Sequence, residues 1–188
     1  MALFRRSGEK HALAIAMTGI KLGDRFLQIG CTDASLAVAI GSKAGMSGRA
    51  CVLVDTNEDA SRARHAAERG GVLLEVEQSP LDRLPYDPGS FDLIVVDSQL
   101  GLLGALKPET RTAALQQARR ALAPRGRIVI IERTPRAGLG ALFTRAVTAP
   151  DPHYVSSGGA ATALKAEGFK AVRQLAERDG LSFFEGIT

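Results

Sequence analysis

Gly30 and Asp55 are the two residues whose types and spacing carry the clearest chemistry. Gly30 follows the run Phe26-Leu27-Gln28-Ile29 and starts a turn, and Asp55 ends the run Cys51-Val52-Leu53-Val54. A glycine there lets the backbone approach a ligand closely, and a carboxylate at a strand end can accept hydrogen bonds from ribose hydroxyls. Apolar run, glycine turn, helix, apolar run and acid is the order of a nucleotide-binding βαβ unit. Residues 30–35 read Gly-Cys-Thr-Asp-Ala-Ser, which is not G-x-G-x-x-G, so a nicotinamide dinucleotide is not the expected ligand. Cys31 and Cys51 are the only cysteines and form no CxxC or Cys/His cluster. Neither a metal site nor a disulfide framework is expected, and a reducing cytoplasm is the natural setting. Cys31 reads as a packing residue rather than a nucleophile.

The elements that hold these residues follow from the spacing of apolar side chains. Residues 10–20 predict a helix and 25–29 the first strand. Asp33 is the expected N-cap of a helix running to Ala44. Residues 50–54 form the second strand, and Asn57 is the expected cap of a helix to Arg69 that Gly70-Gly71 ends. A third strand is expected over 72–76, a loop over 79–90, a fourth strand over 91–96, a helix over 109–122 and a fifth strand over 127–131. The segment 138–147 places Leu139, Leu142, Phe143, Ala146 and Val147 at helical spacing. A polar loop over 149–159, a helix over 160–166 and strands over 170–175 and 181–187 complete the chain, with Asp179-Gly180 as a hairpin turn. Five βα-type units followed by a hairpin predict an α/β fold with a parallel sheet and an antiparallel edge strand.

Composition sets outer bounds. The 188 residues suit one domain, 45% are apolar, and aromatics are only 5%, so the core is aliphatic and suits a parallel sheet buried on both faces. A net charge of +4 falls short of a nucleic-acid-binding stripe. No apolar run reaches membrane-spanning length, and residues 1–6 are not followed by a signal-peptide core.

In motif order the whole chain resembles a class I S-adenosylmethionine-dependent methyltransferase. The matching pieces are Leu27-Gln28-Ile29-Gly30-Cys31, Val54-Asp55, Leu84-Pro85-Tyr86-Asp87-Pro88-Gly89-Ser90-Phe91-Asp92 and Leu122-Ala123-Pro124-Arg125-Gly126-Arg127. The flavour is nearest the small-molecule and quinone C-methyltransferases. The resemblance implies a Rossmann-like, doubly wound, seven-stranded sheet with its last strand antiparallel, and S-adenosylmethionine as cofactor. It places the methionine end of that cofactor against Gly30, Cys31, Thr32 and Asp33, and the ribose on Asp55 with Thr56 beside it. Adenine is placed next to Ser79, Pro80 and Leu81, with Asp97 and Ser98 facing the methyl group or the substrate. Gln28, Thr32 and Ala34 stand where the family motif has an acid and two glycines.

The resemblance also implies methyl transfer to a small, apolar or aromatic acceptor by in-line displacement, with no particular catalytic residue required. Residues 137–159 are expected to cover that substrate. His153 and Tyr154 within them are candidate base or orienting groups, against plain loop exposure, and Arg133 and Arg136 could meet an anionic substrate. His11 reads as part of the first helix and His65 as a surface residue. The missing glycines leave a non-catalytic methyltransferase-like scaffold as the alternative, and the basic balance leaves an RNA methyltransferase as a third reading.

Overall fold

Seven strands form one sheet in the order β3-β2-β1-β4-β5-β7-β6 in the computed structural model, which describes residues 11–134 and 151–188. The strands are β1 Arg25–Ile29, β2 Arg49–Val54, β3 Glu75–Gln78, β4 Phe91–Ser98, β5 Leu122–Arg133, β6 Lys170–Arg178 and β7 Leu181–Ile187. The described helices are α1 Ala12–Thr18, α2 Ala34–Ala44, α3 Asn57–Gly70, α4 Leu102–Ala105, α5 Pro108–Ala121, α6 Pro152–Ser156 and α7 Gly159–Ala166. β1 to β5 run parallel, and β7 is antiparallel to both β5 and β6. The seven-stranded, mostly parallel sheet is the expected one, but the antiparallel strand is not at the edge as expected: β7 is inserted between β5 and β6, and the hairpin returns β6 to the edge in the direction of β5. The expected segment 138–147 and Arg136 lie outside the described residues, as does much of the proposed substrate cover.

Alternation along the strands builds the two faces. Phe26, Leu93, Val95, Val129, Ile131 and Phe183 point to one side and pack with Ala14, Leu36 and Ile40 of α1 and α2. Their neighbours Leu27, Ile94, Val96, Ile128 and Ile130 point to the other and pack with Leu115 of α5 and Leu164 of α7. On the first side Val52 and Val54 meet Ala60 and Ala63 of α3. Both faces of the central strands are thus covered, which explains their near-continuous apolar runs. No helix among the described residues is long and apolar enough to cross a membrane.

Several boundaries differ from the sequence-based expectation for physical reasons. The N-cap of α3 is Thr56, not Asn57: the Thr56 hydroxyl accepts from the Asp59 amide at 3.1 Å. The third strand begins at Glu75 rather than Val72, because Gly71 and Val72 donate to Glu68 and Ala67 carbonyls and so close α3. Arg49 then pairs with Glu75 at 2.6 Å and fixes the register Cys51↔Glu75. Pro124-Arg125-Gly126 lies inside β5 as an excursion, with pairing interrupted between Leu122 and Arg127. The expected loop over 149–159 contains α6, started by Asp151, whose carboxylate accepts from the His153 amide at 2.9 Å.

Candidate functional site

The carboxyl ends of β1, β2, β3 and β4 lie side by side, and backbone hydrogen bonds tie the residues just past them together. The Gly30 amide donates to the Leu53 carbonyl at 2.9 Å and the Ser79 amide to the Val54 carbonyl at 3.0 Å. Gly30 has φ +82°, and a Cβ there would sit 2.8 Å from Leu102 Cδ2 and 3.1 Å from the Asp97 carbonyl oxygen. Only glycine meets both demands, the left-handed backbone and the close approach of β4. Gln28, fully buried, donates from Nε2 to the Gly30 carbonyl at 3.0 Å, while its Oε1 has no partner among the described residues. Thr32 has no positive φ, so a β-branched residue sits there without backbone strain.

Asp97 joins the turn to the next strand. One carboxylate oxygen accepts from the Thr32 amide at 2.9 Å and the Asp33 amide at 3.3 Å. The other accepts from the Gln99 side chain at 3.1 Å and its amide at 3.4 Å. Asp97 lies within β4, not past it, and is 1% exposed; burial pushes its carboxyl above the usual range, with these donors opposing the shift. Ser98, also buried, accepts from the Leu103 amide at 3.1 Å and so supports the start of α4. Burial, with Asp97 next, pushes the Cys31 thiol up to about 12, which removes it as a nucleophile near neutral pH.

Asp33 caps α2, accepting from the Ser35 amide at 2.9 Å and hydroxyl at 2.6 Å. His11 is a buried partner of this cap rather than a mere part of a helix: it precedes α1, and its Nε2 lies 2.7 Å from Ser35 Oγ. Asp55 is exposed at the end of β2, and its carboxylate has no hydrogen bond or ion pair among the described residues; only its carbonyl is engaged, by Gln78. Ser79 and Pro80 stay near the surface, whereas Leu81 turns into the core. Strand ends thus bring Gly30, Thr32, Asp33, Asp55, Ser79 and Asp97 to one edge. A depression of about 600 Å³ between Pro88 and Arg120 lies at the opposite edge, by the amino ends of β4 and β5.

A second polar cluster lies at the carboxyl end of β5, where Glu132 pairs with Ser98, and sequence spacing does not announce it. The Tyr154 hydroxyl donates to Glu132 Oε1 at 2.6 Å, and Arg111 lies over the Tyr154 ring at 4.5 Å. Arg111 donates to the Leu103 and Leu106 carbonyls at 3.1 and 3.2 Å and to Asp151 at 3.3 Å. His153 and Arg133 are exposed. Burial pushes the Glu132 carboxyl up, while the Tyr154 hydroxyl and Ala160 amide favour its ionised form. A carboxyl whose folded pKa exceeds its unfolded one adds stability that is full in acid and lost as pH rises through the folded value. Tyr154→Phe removes a donor from the ionised form and raises that folded value further. Its cost is therefore expected to be about 2 kcal/mol near neutral pH and clearly smaller in acid near pH 4, read by urea unfolding at both; equal costs would contradict the assignment.

Residues 27–128 match the family model described as a methyltransferase domain, just over half of the chain. The ubiquinone/menaquinone biosynthesis C-methyltransferase UbiE of Cupriavidus necator is 30% identical over 131 residues, which are 67% of this chain and 51% of that protein. The chain thus spans about half the length of the curated relatives it matches. Among solved structures, a SAM-dependent methyltransferase from Aquifex aeolicus superposes with a TM-score of 0.71 at 17% identity, over 94% of this chain and 88% of that one. A putative O-methyltransferase from Nostoc punctiforme gives 0.74 at 13%, over 96% and 56%. The chain belongs to the methyltransferase-domain family, within the class I superfamily whose cofactor is S-adenosylmethionine.

Proposed function

We propose that this chain binds S-adenosylmethionine across the ends of β1, β2 and β4 and supports methyl transfer to a small, apolar or aromatic acceptor. The exposed, unpartnered carboxylate of Asp55 beside the Gly30 turn is the observation that carries this reading. It offers two acceptor oxygens to a ribose diol, and no protein group competes for them among the described residues. Two features fit the rest of the cofactor. Gln28 Oε1 is a buried acceptor that an incoming N–H would satisfy, and Ser79 and Pro80 flank the Asp55 strand end. Thr56 acts behind Asp55 as the cap of α3, and Cys31 and Ser98 act as buried support for the turn and for α4.

The bound cofactor supplies an electrophilic methyl on a positively charged sulfur with a neutral leaving group. The protein's own task is then to align the acceptor and keep water away. Leu100, after β4, and Val155, on α6, are exposed apolar side chains, which suits an apolar acceptor. The name of the curated relatives points the same way, to a quinone precursor as the class to try first. Buried, unpaired Cys31 and Cys51 suit a reducing cytoplasm.

Calorimetry with S-adenosylmethionine tests the reading. Wild type is expected to bind in the micromolar range, and Asp55→Ala to bind about tenfold or more weakly. No heat from wild type at millimolar ligand would remove the cofactor reading. One observation favours a non-catalytic scaffold instead, namely that Asp97 already occupies the Thr32 and Asp33 amides. That reading requires the same null calorimetric result.

A further inference from the structure

The edge that holds the Gly30 turn carries charge opposite to that of the whole chain. The protein is net +4, yet among the described residues the leading charges acting on Cys31 inside the turn are Asp97, Asp59 and Asp33, with Arg62 opposing them. Arg62 is itself paired with Asp59, and His11 approaches Asp33 at 3.7 Å. Asp97 differs from the others. Its contacts are four N–H donors, and it has no ion pair with a lysine, arginine or histidine among the described residues. Neutral donors fix a carboxylate and favour its ionised form, but they leave its net charge in place. Buried in a medium less polarisable than water, that charge acts on its neighbours with little screening.

We propose that Asp97 makes this site discriminate by ligand charge, holding a cationic sulfonium or ammonium ligand more tightly than the neutral thioether of the same skeleton. The inference rests on the cofactor reading above and adds to it an order of affinities. Geometry supports it in two ways. The Asp97 carbonyl lies 3.1 Å from where a Cβ on Gly30 would be, so the strand bearing the carboxylate forms a wall of the glycine turn. The Thr32 and Asp33 amides, which an anion would use, are already bonded to Asp97. A phosphate would therefore meet occupied donors and a like charge, whereas a cation gains an attraction that a neutral ligand lacks. The same difference would loosen the neutral product relative to the charged substrate, so that product release does not depend on a conformational change alone.

Calorimetry with three ligands decides the matter: S-adenosylmethionine, its ammonium analogue sinefungin, and neutral S-adenosylhomocysteine. Wild type is expected to bind both cations about tenfold more tightly than S-adenosylhomocysteine. Asp97→Asn removes the charge but leaves only one of the two accepting oxygens, so all three affinities are expected to fall, and the three ligands to come within about twofold of one another. An Asn variant that keeps the wild-type preference overturns the proposal. If that variant does not fold, the wild-type series stands alone, and S-adenosylhomocysteine binding as tightly as the two cations overturns the proposal equally. Binding by none of the three overturns the cofactor reading itself, and this inference with it.

Discussion

Alanine at Gly30 is expected to lower stability by about 3 kcal/mol, the sum of a left-handed backbone and a crowded Cβ. For a chain of this length that corresponds to a fall in thermal midpoint of roughly 10 °C. The two contributions can be separated. Gly71 also has a left-handed φ, +62°, but a Cβ there meets nothing within 4 Å, so Gly71→Ala isolates the backbone cost at about 1 kcal/mol. The excess at Gly30 comes from the Asp97 carbonyl, which belongs to a central strand and cannot retreat as the Leu102 methyl can. Relief by shifting the turn would displace the Thr32 and Asp33 amides, so cofactor affinity is expected to fall along with stability. Equal losses for the two alanine variants in thermal melts would show that close approach of β4 is not what requires Gly30.

The other large effect is expected at Arg111. Its guanidinium is buried, with 8% exposure, and it satisfies two main-chain carbonyls as well as Asp151. Arg111→Ala removes those donors, the packing of the side-chain stem and the stacking on Tyr154 together. A loss of about 4 kcal/mol is expected in urea unfolding, because the carbonyls of Leu103 and Leu106 would be left without a donor. Arg111→Met restores the stem but not the donors and is expected to recover about 1 kcal/mol of this. Recovery of most of the loss by methionine would show that packing, not polar satisfaction, holds α6 to the α4–α5 connection.

The two variants mark what the sequence makes legible and what it hides. Gly30, Asp33 and Asp55 are readable because local rules govern them: a strand ends, a turn needs glycine, a helix needs a cap, and a topology puts ligands at strand ends. β1 and β7 were legible to the residue for the same reason, as short, largely apolar runs bounded by clear turns. Asn57 misled because asparagine and threonine both cap well, and the choice depended on which side-chain oxygen met the Asp59 amide. Val72 misled because strand propensity does not show that the backbone is still closing α3. The Arg111–Tyr154–Glu132 cluster was illegible for a deeper reason. Its members come from α5, α6 and β5, and no spacing rule links residues that only the tertiary fold brings together. Asp97 fell between these cases: its position was readable, but its engagement with the Thr32 and Asp33 amides was not.

The insertion of β7 between β5 and β6 also has a consequence for how the chain assembles. Among the described residues β6 has no neighbour but β7, and the two join through the tight turn Asp179-Gly180, with φ of +57° and +74°. Such a hairpin forms in about 1–10 μs from local contacts, whereas Phe26 pairs with Leu93 only after a long loop has closed. Until the hairpin docks, β5 presents an open, parallel-sheet edge along Ile128, Val129, Ile130 and Ile131, all with 0% exposure in the finished fold. A nascent chain that has assembled β1 to β5 is therefore at its most prone to pair with another chain, and docking of the last hairpin ends that hazard.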